Sequence, residues 1–241
     1  MRVAYKIYKD SDDVDVEVRV FLGDVDRIVK LKIPFLTEGH LIGQTAYATE
    51  PLFEDARENV AHRFVALEGG ERFPALLNTD VYGSHFENNT LYMSLVRGVT
   101  YCAHPIGERP LLPSDRFTKK IDQGESVFSF RLTVTDRASL ERRAQAFTQK
   151  PYALNLFPIP REDCHAEPFA VWLDGDVSCT AIKKADGRDA ILFRLFNNND
   201  TPAPSALEVN GVRLALHFGK YEVKTVLWEN GALCEVAEMI I

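Results

Sequence analysis

The sequence predicts an all-β protein, a large antiparallel sandwich followed by a smaller one, on three observations. First, Val14, Val16, Val18 and Val20 alternate with Asp15, Glu17 and Arg19, and Phe128, Phe130, Leu132 and Val134 alternate with Val127, Ser129 and Arg131. A period of two puts one set on a buried face and the other in solvent. Second, the last third breaks into short β-favouring runs (AVWL, VSCTAIKKA, DAILFRLFN, ALEV, VRLALHF, YEVKTVLWE, ALCEVAEM) joined by polar or Gly-containing connections. Third, one segment alone has helical spacing: DRASLERRAQAFTQ, with Asp136 as cap, Leu140, Ala144 and Phe147 on one side, and Pro151 ending it.

The elements follow in order. Residues 3–22 open with VAYKIYKD and continue into the valine alternation; IVKLKI at 28–33 repeats the pattern. The polar GDVDR between them predicts a hairpin, so these two strands are expected to pair. A strand is expected at Leu41–Ala48, then an irregular acidic loop punctuated by Pro51, then VAHRFVAL at 60–67. Ala75–Leu77 and Leu91–Val96 form two further strands around the polar segment NTDVYGSHFENN. Past Arg97 a long connection carries Pro105, Pro110 and Pro113, and the proline-bracketed stretch IPREDCHAEP places a domain boundary near residues 150–165.

Composition bounds the function. With 241 residues, 46% hydrophobic and 26% charged, the chain can bury a substantial core, and no apolar run is long enough to cross a bilayer. A formal charge of −7 argues against a nucleic-acid partner, which would need clustered Lys and Arg. Cys102, Cys164, Cys179 and Cys234 are widely spaced with no Cys-x-x-Cys pair, so they read as free thiols. The opening MRVAYKIYKDSDDVDV has no signal-peptide core, which favours a reducing cytoplasm. His40, His62, His85, His104, His165 and His217 show no metal-ligand spacing. Trp172 and Trp228 lie in apolar strand contexts and are expected in the core.

The polar segment between the central strands holds the candidate site: Asn78, Asp80, Tyr82 and His85 lie close in sequence, and Arg97 ends the following strand. Asn78 and Asp80 read equally as turn formers and Tyr82 as a packing ring.

These residues carry a resemblance. Leu76, Leu77, Asn78, Tyr82 and Gly83, followed by Ser94, Leu95 and Arg97, resemble the C-terminal β-region of family 38 glycoside hydrolases, the α-mannosidases. There a Leu-Leu-Asn-Asp-x-x-Tyr-Gly strand precedes one ending Ser-Leu-x-Arg. Lys30, Leu31 and Pro34, Phe64, the segment RRAQAFTQKPYALN, Thr180–Ala185, Leu192–Asn197 and Tyr221–Thr225 match further pieces in the family's order. Thr79 and Ser126 depart from it, standing where relatives carry Asp and His.

The resemblance implies a mutarotase-like β-supersandwich over 1–160, a smaller sandwich over 161–241 and a short linking helix. It implies a non-catalytic role, packing on a catalytic α/β-domain of the same parent chain and helping to complete a cleft for a mannose-containing saccharide. Asn78, Asp80, Tyr82, His85 and Arg97 would face that saccharide. Zinc would belong to the catalytic domain, with no cofactor on this chain. A retaining glycosidase needs two carboxyl groups about 5 Å apart, one as nucleophile and one as acid/base, and no stretch here reads as the α/β-domain that would supply them. Two other readings stand beside this one: a free-standing epimerase with His85 as acid/base, and a carbohydrate-binding module, which needs exposed aromatics on one sheet face.

Overall fold

The valine alternation forms the spine of the first of two compact units. The computed structural model describes residues 1–99, 120–153 and 169–237. Cys102, Cys164, His104, His165, the proline-rich connection after Arg97 and the 160/161 boundary lie outside the described residues. The first unit comprises Met1–Thr45 with Glu50–Arg137; the second comprises Ala46–Thr49 with Ala138–Ile241.

In chain order the first eleven strands are β1 (Arg2–Ile7), β2 (Val14–Leu22), β3 (Ile28–Pro34), β4 (His40–Thr45), β5 (Ala48–Pro51), β6 (Glu58–Val60), β7 (Phe64–Glu68), β8 (Phe73–Asn78), β9 (Gly83–Glu87), β10 (Thr90–Arg97) and β11 (Gly124–Thr135). Seven form one sheet in the order β1-β2-β11-β8-β7-β4-β5, and four form another, β3-β10-β9-β6. Val16, Val18, Val20 and Phe130 from the larger sheet meet Phe86, Leu91, Met93 and Leu95 from the smaller in one buried cluster. That cluster is the sandwich core. A bulge between Ser94 and Val96 lets successive residues Leu95 and Val96 both face inward. Asn88 and Asn89, both at positive φ, close the tight turn from β9 to β10.

Three expectations are corrected. β2 and β3 do not pair: β2 lies between β1 and β11, while β3 joins the other sheet beside β10. GDVDR crosses between layers, and there the Asp26 amide donates to the Gly98 carbonyl while the Gly98 amide donates to that of Arg27. The stretch expected as one strand over Leu41–Ala48 is two, β4 and the start of β5, with Tyr47 turning at φ 61. The polar segment after Asn78 is not all loop, because Gly83–Glu87 pairs with β10 on one side and β6 on the other.

The second unit holds α1 (Arg137–Thr148) from Ala138 onward, then β12 (Val171–Gly175), β13 (Ser178–Lys184), β14 (Ile191–Phe196), β15 (Ala203–Val209), β16 (Val212–Phe218), β17 (Val223–Glu229) and β18 (Ala232–Val236). A three-stranded sheet, β12-β15-β16, and a four-stranded one, β13-β14-β17-β18, enclose Phe193, Leu195, Leu207, Val209, Leu216, Phe218 and Val226. Asn210-Gly211 and Asn230-Gly231 supply the positive φ values of their hairpin turns. Leu140 and Ala144 are buried on α1. Within this unit Asn198 Nδ2 donates to Thr49 Oγ1 at 2.9 Å and to Glu141 Oε2 at 3.1 Å, and the Tyr47 ring meets Phe196 edge-on.

The architecture is therefore all-β, with one helix among the described residues and every sheet pairing antiparallel. Trp228 packs against the second core as expected, but Trp172 is 70% exposed. On β12 the neighbours Val171 and Leu173 point inward, and the pleat turns Trp172 to the other face.

Candidate functional site

Asn78 ends β8 with its side chain turned back into its own turn. Its Nδ2 donates to the carbonyls of His62, at 2.7 Å, and of Val81, while its Oδ1 accepts from the amides of Asp80 and Val81 at 3.1 and 2.8 Å. At 3% exposure Asn78 builds the turn and offers nothing to a ligand. Asp80 is exposed, and its Oδ2 accepts from the Thr79 hydroxyl at 2.6 Å. Tyr82 is 52% exposed, its ring edge-on to His62 at 5.6 Å. Asp80 and Tyr82 are thus both exposed on the turn that Asn78 builds, a rim of the first unit, with His62 against Tyr82.

His85 lies elsewhere. Ser84 and Phe86 are buried, so the pleat turns His85 to the outer face of the four-stranded sheet. Register aligns Lys32, Tyr92, His85 and Glu58 across all four strands. Lys30 Nζ lies 2.8 Å from His85 Nδ1 and pairs with Glu58, whose carboxylate is 3.7 Å from the same nitrogen. Tyr92 stacks on the imidazole at 4.5 Å, and Lys32 stands over the other ring at 5.8 Å. A Lys ammonium only donates, so Nδ1 is the acceptor in this contact. Nδ1 is thus engaged within the cluster, and the side chain is 19% exposed.

Arg97 ends β10 at the end of the sheet where β9 begins, and its amide donates to Asp122 Oδ2 at 3.1 Å. The five predicted residues therefore divide. Asp80 and Tyr82 form a rim, His85 belongs to the outer face, Asn78 is buried and Arg97 closes a strand. Sequence reading missed Lys30, Glu58 and Tyr92 as neighbours of His85, and His62 as the neighbour of Tyr82, because pairing across strands brings them together. Among the described residues no group of three His, Cys, Asp or Glu is placed to hold a metal, so these residues do not fit a zinc ion.

No protein-family model and no curated protein matches the sequence. Solved structures do. The chain is similar to the crystal structure of an alpha-mannosidase from Enterococcus faecalis V583, with a TM-score of 0.70 and 16% identity over 93% of this chain and 28% of that one. It is also similar to a protein in glycosyl hydrolase family 38 from Enterococcus faecalis, with a TM-score of 0.72 and 16% identity over 93% of this chain and 29% of that one. The chain has the fold of part of a family 38 enzyme. The resemblance read from Leu76 to Arg97 is borne out as fold, and the chain spans less than a third of the length of the proteins it matches. No helix among the described residues is long and apolar enough to cross a membrane.

Proposed function

We propose that this chain is the non-catalytic β-region of an α-mannosidase, packing on a zinc-dependent catalytic domain of the same parent chain and helping to complete its mannoside-binding cleft. The observation that carries the reading is the span of the likeness: 93% of the chain is covered by the fold of family 38 structures, so the match takes in most of both units. A lone saccharide-binding module or a free-standing epimerase has no need of that whole span. The rim of Asp80 and Tyr82 is the part proposed to face saccharide, since both side chains are exposed and Asn78 holds their turn. Lys30, Glu58 and Tyr92 tie His85 to the outer face of the four-stranded sheet. A reducing, cytoplasmic setting accords with the free thiols of Cys179 and Cys234.

The reading is tested with the purified chain and p-nitrophenyl α-D-mannopyranoside, with and without zinc. No turnover is expected. Hydrolysis that persists through repurification and is lost in Asp80→Ala would overturn it.

A further inference from the structure

The second unit carries an arrangement that the α-mannosidase reading does not use. On the outer face of its three-stranded sheet, register sets Trp172 opposite Glu208, and Glu208 opposite Arg213. Asp174 follows Trp172 on the same face of β12, opposite Ala206, which in turn lies opposite Ala215. Trp172 is 70% exposed. Arg213 bridges the two carboxylates, with Nη2 at 3.0 Å from Asp174 Oδ2 and Nη1 at 3.9 Å from Glu208 Oε2. The Asp174 carboxylate is held further by the Gly175 amide at 2.9 Å.

A large aromatic face left in water forgoes the stabilisation of burial, about 25 cal/mol per Å² of apolar surface. The ligand suited to it has one apolar face and a polar rim. A pyranose ring is such a ligand: the C–H groups of one face meet the negative face of the indole, and the hydroxyls at the edge require donors and acceptors. Arg213 supplies fixed donors, and Asp174 and Glu208 supply acceptors already oriented by it. Two carboxylates against one guanidinium leave the cluster negative, which disfavours phosphorylated or carboxylated sugars.

We propose that Trp172, Asp174, Glu208 and Arg213 form a binding subsite for neutral pyranosides, separate from the rim around Asp80 and Tyr82. The indole stacks on the sugar ring, and the Arg213 row engages two neighbouring hydroxyls.

Trp172 and Trp228 are the two tryptophans of the chain, so intrinsic fluorescence reads the site directly. Mannotriose and maltotriose are titrated into the full chain to tens of millimolar, with sodium glucuronate as the anionic comparison. A saturable change is expected with a neutral trisaccharide and none with glucuronate. Affinity, followed by calorimetry, should fall at least about tenfold in Arg213→Ala and vanish in Trp172→Ala, with urea midpoints unchanged because both side chains are exposed. Saturation by maltotriose alone would support the subsite while counting against a mannoside as its ligand. Two results would overturn it: no saturable response to either trisaccharide, or concentration-dependent self-association abolished by Trp172→Ala without any sugar response, which would make this face a protein contact.

Discussion

Asn78 and Asp80, two residues apart, show how differently neighbouring polar side chains act. Asn78 is buried and makes four hydrogen bonds to the backbone around its turn. Asn78→Ala should cost about 2–4 kcal/mol, because it leaves buried amides and carbonyls without partners. Asp80→Ala and Tyr82→Phe should each stay within about 0.5 kcal/mol, as surface changes do. Urea midpoints check both. Asp15 gives a pH-dependent counterpart. The Arg131 guanidinium, at 3.0 Å through Nη2, holds the Asp15 carboxyl below its usual range, aided by the Tyr8 hydroxyl and opposed by partial burial. A carboxylate with a lowered folded-state pKa adds stability above its unfolded pKa and loses it as pH falls through the folded value. Asp15→Asn should therefore be less stable than the parent at pH 7, and the gap should close as pH drops below about 4. Urea titrations across that range measure it; a gap that stays constant would contradict the assignment.

Strand patterns were legible where the pleat alternates over many residues, as in β2 and β11. They were not legible where pairing is decided at a distance. GDVDR reads locally as a hairpin connection, yet β11, more than a hundred residues on, takes the place beside β2 and sends β3 to the other sheet. The same cause hid β9, whose five residues are too short and polar to show a period and become a strand only between β10 and β6. It also hid the neighbours of His85, which arrive from β3, β6 and β10. Trp172 was misread because an apolar context on an edge strand does not say which face a side chain takes. Close approach between elements leads to a further expectation. A Cβ on Gly39, just before β4, would stand 2.6 Å from the Glu68 carbonyl oxygen that ends β7, whereas one on Gly23 would meet only Phe21 at an ordinary 3.7 Å. Gly39→Ala should cost about 1–3 kcal/mol and Gly23→Ala far less, read from thermal or urea unfolding.

For the whole molecule, the ordered run of family-like pieces from Lys30 to Thr225 conveyed what no single motif could, and the solved folds cover 93% of the chain at 16% identity. Stability and the part proposed in catalysis belong to different lengths of chain. Two sandwiches with cores of their own account for folding, while the proposed cleft needs a partner domain that these sheets do not supply. The most direct measurement is to tag the C-terminus at the chromosomal locus, purify the protein from its native cells without denaturation, and assay aryl α-mannosidase activity beside the mass of the tagged species. Zinc-dependent mannosidase activity is expected to travel with a single polypeptide several times heavier than 27.2 kDa. A tagged protein of that mass alone, free of mannosidase activity, would contradict it.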